Sequence, residues 1–156
     1  MSFEQFIKTT NKYVDKEALV DVIVQRRDTF YDPHKNAQWC KEQQIDFLFV
    51  GRHLGEQKKD FIPTPYGIEH ISKYANDNQK VVLDEKGAWL FLCKRDPFGS
   101  SIKSGRAKKN RLVYLYDNAD NLLGLGIWLV NEVTPREADK AVIKNLYDKG
   151  RYVRRE

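Results

Sequence analysis

Apolar and polar residues follow one texture in the first half of this chain and another in the second. Ser2 followed by Gln5 has the form of a capping box, and Phe3, Phe6 and Ile7 share one helical face, so a helix is expected to open the chain. Residues 19–27 (LVDVIVQRR) are rich in β-branched side chains and read as a strand. Asp32-Pro33 supplies a cap and a first-turn proline for a second helix over residues 33–44. Residues 45–50 (IDFLFV), a short apolar run ending at Gly51, read as a buried strand. Thr64-Pro65 opens a further helix toward Ala75, with Ile68, Ile71 and Tyr74 spaced to face a core.

Beyond Lys73 the pattern shortens. The NDN of residues 76–78 is turn chemistry, and strand-like segments follow at 79–83, 88–93, 111–116, 122–130, 141–147 and 151–155. The turn signals DEKG, DPFG, DNADN, TPRE and DKG separate them. The expected fold class is α+β: a small α/β unit over residues 1–75, then a compact β-barrel over residues 76–156. Trp89, Phe91 and Trp128 are expected in the core, as are Tyr114 and Tyr116, whose period-two spacing suits a barrel strand better than base stacking. Gly124 and Gly126 are expected to permit a tight bend.

Charge changes this picture more than composition does. Residues 1–72 carry 10 basic and 11 acidic side chains, whereas residues 73–156 carry 17 and 11, so the excess belongs to the second half. It concentrates between Lys94 and Arg111, where Lys94, Arg95, Lys103, Arg106, Lys108, Lys109 and Arg111 face one acid, Asp96. Like charges crowded into a Gly/Ser-punctuated stretch repel one another, and a polyanion relieves that repulsion while releasing its own counterions. Nucleic acid is the partner this pattern implies. Gly99 and Gly105 allow close backbone approach, and Ser100, Ser101 and Ser104 can donate to phosphates. Lys149, Arg151, Arg154 and Arg155 form a second basic patch at the tail. In a strand, Tyr152 pointing inward takes Arg154 with it and leaves Arg151 and Arg155 as the better contacts.

Other functions find little in the sequence. No apolar run is long enough to span a membrane, and the first residues lack the basic start and apolar stretch of a secretory signal, so an intracellular, cytoplasmic setting is expected, or a nucleolar one in a eukaryote. Cys40 and Cys93 have no CxxC spacing and are expected buried and reduced. His34, His53 and His70 form no HExxH-like pair, and Asp32, His34 and Cys40 on one helical turn cannot supply a full ligand set. Asp84-Glu85 reads as part of a bend rather than as an acid/base pair, and LGLG lacks the third glycine of a dinucleotide site. With no GxSxG and no P-loop either, a non-catalytic protein without cofactor, metal or small-molecule substrate is expected.

The second half also resembles a known family. RLVYLYDNADNLLGLGIWLV (residues 111–130) is similar to the paired strands of a PUA domain, with Gly124 and Gly126 in its Leu-Gly-x-Gly strand. FGSSIKSG (98–105) resembles the aromatic-Gly start that ends in Lys-Ser-Gly, and YDKGRYVRRE an Asp-x-Gly-x-Tyr-Val-Arg-x-Glu ending. VGRHLGEQKKDF (50–61) resembles the Gly-x-x-x-Gly, polar loop, Phe pattern of a pre-PUA domain. In this order the set is similar to the ribosome-assembly family called nuclear import protein seven, although Leu122 stands where that family has proline and Arg151 where it has an acid. The resemblance implies an N-terminal α/β pre-PUA domain and a C-terminal PUA β-pseudobarrel. It also implies a non-catalytic role in large-subunit assembly and pre-rRNA processing. The partners would be rRNA or pre-rRNA and ribosome-assembly or RNA-processing proteins. The expected RNA contacts are Lys103, Arg106, Lys108, Lys109, Arg111, Lys149, Arg151, Arg154 and Arg155. The alternatives keep the fold: a translation factor acting on the small subunit or initiator tRNA, or an RNA-delivery subunit of a modifying enzyme.

Overall fold

A computed structural model describes Ser2, Phe6, residues 24–26, 29–32, 42–44 and 51–152, and Arg154. Of the expected first helix only Ser2 and Phe6 are described, with the Phe6 N–H on the Ser2 carbonyl at 2.8 Å; the strand at 45–50 lies outside these residues, as does almost all of the helix expected at 33–44. The chain divides into two compact units, Met1–Ile71 and Ser72–Glu156.

Among the described residues the first unit holds an antiparallel four-stranded sheet in the order β1 (Val24–Arg26), β2 (Thr29–Asp32), β3 (Arg52–Gln57), β4 (Phe61–Pro63), followed by α1 (Pro65–Ser72). Its aromatic cluster joins Phe6 to Phe61 at 5.2 Å and Phe30 to Phe61 edge-on at 5.7 Å. Gly55 stands against that cluster, where an added Cβ would meet the Phe61 ring at 2.4 Å. Thr64 starts α1: its hydroxyl donates to the His53 carbonyl at 2.6 Å and accepts from the Gly67 amide at 3.0 Å. Ile68 and Ile71 are buried as their spacing predicts, but Tyr74 lies past the helix end and is exposed.

The second unit is built on a five-stranded sheet of β5 (Lys80–Leu83), β6 (Ile102–Ser104), β7 (Leu112–Tyr116), β8 (Leu122–Trp128) and β9 (Ile143–Asp148), ordered β6-β5-β7-β8-β9. Only the β5–β7 pair is parallel. Three register shifts, at Val82/Leu83, Leu115/Tyr116 and Leu125/Gly126, coil the sheet. No strand ladder joins β6 to β9. Instead the segments leading into these edge strands meet in one antiparallel bridge, Phe98 to Ala141, flanked by Gly99 N–H to Lys140 O and Val142 N–H to Pro97 O. The sheet is thus a pseudobarrel, bent round until its ends touch. Gly124 and Gly126 serve the β8–β9 pairing, because added Cβ atoms would come within 2.1 Å of the Tyr147 carbonyl oxygen and 2.4 Å of the Ile143 side chain.

One expected strand is a helix. Residues 88–92 belong to α2 (Glu85–Leu92) with Cys93 at its C-cap, and the DEKG expected as a bend is its opening turn. Asp84 is the N-cap, accepting from the Gly87 amide at 2.7 Å, and Glu85 places an acid in the first turn. A short apolar run carries no period of its own, so AWLFLC fits either structure, and the cap decides. Gly87, Ala88 and Phe91 face inward and Trp89 faces out, 64% exposed, which corrects its expected place in the core. Phe91 and Trp128 are core residues, with Val81, Leu83, Val113, Leu115, Leu123, Val142 and Ile143. Cys93, expected buried, is exposed at the end of α2.

The tail departs from expectation too. Lys149–Tyr152 is a 3-10 turn, so Arg151 and Tyr152 are not in the strand expected there. Gly150 lets this turn dock on the end of α2, where an added Cβ would lie 2.0 Å from the Leu92 carbonyl oxygen. Arg154 then grips the buried Asp148 carboxylate with both terminal nitrogens, at 2.9 and 3.3 Å.

Two stability outcomes follow. Arg154→Ala leaves a buried carboxylate unpaired and is expected to cost about 3 kcal/mol in chemical denaturation; a loss comparable to that of an exposed ion pair would show that the Asp148 contact is dispensable. Lys94 sits at φ 66° just past α2, with its N–H on the Phe91 carbonyl and the Arg95 N–H on the Leu90 carbonyl, a helix ending that favours glycine. Lys94→Gly is expected to raise stability by up to about 1 kcal/mol, read as a higher denaturation midpoint.

Candidate nucleic-acid interface

The basic segment is an organised loop. β6 alternates Ile102 toward the core with Lys103 toward solvent, as an edge strand does. The chain leaves β6 at Gly105, whose φ of +95° and whose approach to the Lys80 carbonyl oxygen (2.3 Å from an added Cβ) exclude any side chain there. It returns at Asn110, also left-handed at φ 64°, whose N–H donates to the Trp128 carbonyl at 2.7 Å. Arg111 continues the attachment by accepting from the Trp128 N–H. Between these fixed ends Ala107 packs against the core, which turns Arg106, Lys108 and Lys109 outward.

Lys103, Arg106, Lys108, Lys109 and Arg111 are all exposed, and among the described residues none has a carboxylate within ion-pair distance. Some other cations among the described residues are already engaged. Lys80 is paired with Asp120, stands 4.7 Å from the Tyr116 ring centroid and has its pKa raised chiefly by the Asp120 hydrogen bond. Arg154 is committed to Asp148. Of the tail cations, Arg151 is exposed on the 3-10 turn, Lys149 is half-buried and Arg155 lies outside the described residues. Tyr114 is fully buried and offers no face to a base, and Tyr116, expected in the core, is half-buried with the Lys80 ammonium over its ring.

A groove of about 740 Å³ opens beside Lys103, lined also by Asp84, Glu85, Lys86, Trp89 and Asn118. Sequence reasoning missed Trp89 because it took α2 for a strand. The available signal was Asp84 as a cap ahead of the run. Asn118 is positioned by a tight turn in which Asp117 accepts from the Ala119 and Asn121 amides and from the Asn121 side chain. The Asn121 hydrogen bonds hold the Asp117 carboxyl below the usual carboxylate range. Among the described residues no group of three or more His, Cys, Asp or Glu could hold a metal ion, and no helix is long and apolar enough to cross a membrane.

A coiled mixed sheet packed on one capped helix, preceded by an α+β unit, makes this a pre-PUA plus PUA-domain protein. The match to the UPF0113 PUA domain over residues 79–156 places the chain in that family. It is 31% identical over 109 residues to a UPF0113 protein of Archaeoglobus fulgidus, a match covering 68% of this chain and 62% of that protein's length, under two thirds of the relative. A conserved PUA domain protein from Thermoplasma acidophilum shares the fold at a TM-score of 0.54 and 17% identity, over 85% of this chain and 78% of the other. A hypothetical protein from Pyrococcus horikoshii does so at 0.54 and 14%, over 93% and 88%. At these identities the likeness is one of fold. A PUA domain in turn suggests RNA binding rather than catalysis.

The Asp117 turn has a pH signature. A depressed carboxyl pKa adds stability that is complete above the unfolded value, near 3.8, and is lost as pH falls through the lower folded value. The stability gap between wild type and Asp117→Ala is therefore expected to be largest near neutrality and to narrow on acidification below about pH 4, measured by denaturation at each pH. A gap that stays constant across that range would remove the ionised carboxylate from the account.

Proposed function

We propose that this protein binds RNA through the exposed face of the 103–111 segment and acts without catalysis in large ribosomal subunit assembly and pre-rRNA processing. The observation that carries the RNA reading is the availability of the cations. Lys103, Arg106, Lys108, Lys109 and Arg111 are held outward on a segment pinned at both ends, with no carboxylate paired to them among the described residues. A rigid, unneutralised cationic segment binds a phosphate chain at little ordering cost and gains counterion-release entropy. The three arginines in this proposal, Arg106, Arg111 and the exposed Arg151, can grip two phosphate oxygens or stack on an unpaired base. Arg154 drops from the contact set because its guanidinium is needed by Asp148. Lys149 and Arg155 keep only the support of their place in the sequence.

The assembly role rests on the sequence motifs: Lys-Ser-Gly at 103–105, Leu-Gly-x-Gly at 123–126 and the tail, in their order. In this reading the PUA unit holds rRNA or pre-rRNA in one conformation while the N-terminal unit, near neutral in charge, meets assembly or processing proteins.

Fluorescence anisotropy with single-stranded RNA across a salt series tests the RNA contact. With about five phosphates engaged, affinity is expected to fall roughly a hundredfold between about 50 and 200 mM salt. Replacing Lys103, Arg106, Lys108, Lys109 and Arg111 with alanine is expected to flatten that slope. Tight binding with an unchanged slope in this variant would move the RNA elsewhere. Co-sedimentation with large-subunit precursors supports the assembly role, whereas selective binding to small subunits would replace it with a translation role.

A further inference from the structure

Trp89 is the most exposed large apolar side chain among the described residues, at 64%, on a helix whose opposite face is buried. A single apolar residue at a surface is ordinary. Its surroundings here are not. Lys86 lies three residues earlier on the same face of α2, and Lys103 of the adjoining basic segment lines the same groove. Asn118 closes it from the β7–β8 turn, held there by Asp117. Of the two acids present, Asp84 is committed to capping α2, which leaves Glu85 as the acceptor facing the groove.

We propose that Trp89 is a stacking platform for one unpaired nucleobase of the bound RNA, with Lys86 and Lys103 on the neighbouring phosphates and Asn118 and Glu85 at the base edge. The proposal rests on the RNA reading above and names a contact within it. An indole face stacks on any base, but only a base free of a helix can reach it. Lysines lining the same groove suit the phosphates that flank such a base, while the Asn118 amide supplies two N–H donors and one acceptor and the Glu85 carboxylate two further acceptor oxygens for its edge. A protein side chain is the competing occupant. Two lysines at the groove, one of them continuous with the cationic loop, favour a polyanion over an apolar peptide.

The test compares the full chain with Trp89→Ala, Trp89→Phe and the five-residue basic-segment variant. The probes are a mixed-sequence single-stranded oligoribonucleotide and its duplex. Trp89→Ala is expected to keep the wild-type melting temperature, since the side chain lies outside the core. It is also expected to weaken single-strand binding about tenfold with an unchanged salt slope, to leave duplex binding intact, and to be largely rescued by Trp89→Phe. Single-strand affinity equal to wild type in Trp89→Ala, alongside lost binding in the basic-segment variant, would overturn the platform and leave the RNA reading standing. Equal losses for single strand and duplex would also overturn it, since stacking needs an unpaired base. No RNA binding by the wild type would remove both readings together.

Discussion

The PUA unit is organised by the capture of the carboxyl end of α2. The last carbonyls of a helix have no partners within it, and burying them unpaired is costly. Here Arg95 and Lys94 fold back onto Leu90 and Phe91, and Asn145 of β9 adds a side-chain hydrogen bond to the Phe91 carbonyl at 2.9 Å. The Asn145 N–H is in turn bound by Asp96 at 2.7 Å, and Gly150 brings the C-terminal turn against Leu92. The end of one short helix is thereby tied to the edge strand and to the tail. With Phe91 fully buried beneath it, α2 cannot shift without opening the core, and its outer face holds a fixed position.

That fixity gives the basic segment its meaning. Charge density alone does not create a binding surface, because cations are readily spent on carboxylates within the protein. Lys80 and Arg154 are spent in this way, one on Asp120 and the other on Asp148. The segment after β6 escapes that fate through its backbone. A left-handed residue reverses the chain at each end, and Ala107, partly buried against the core, turns inward between arginine and lysines. The cations are left facing outward with their repulsion unrelieved, which is the electrostatic condition for binding a polyanion.

The same helix separates two meanings of an aromatic residue. Trp89 and Phe91 lie two apart, so a strand places them on one face, whereas a helix turns them about 200° from each other. The strand reading therefore assigned both to the core. The helix buries Phe91 and delivers Trp89 to the groove beside Lys103.

Much of the architecture is local enough to be written in the chain. Thr64-Pro65 marks α1, the segments of β5, β7, β8 and β9 carry strand composition bounded by turn residues, and the basic run between Lys103 and Arg111 is visible as charge. Caps, β-branched runs and charge density act over a few residues, so sequence alone determined the α+β class and the segment where positive charge concentrates. Tertiary structure decided the rest, because it depends on contacts between distant residues. Where α2 is anchored, and so which way Trp89 faces, turned on the tie between the Phe91 carbonyl and Asn145 of β9. Whether Arg154 is a ligand or a structural clamp turned on Asp148 being buried six residues away. Which of 27 basic side chains remain unpaired depended on where the fold placed their acids. A sequence lists charges, but only a folded chain sets the distances between them, and those distances determine which charges remain available to a partner.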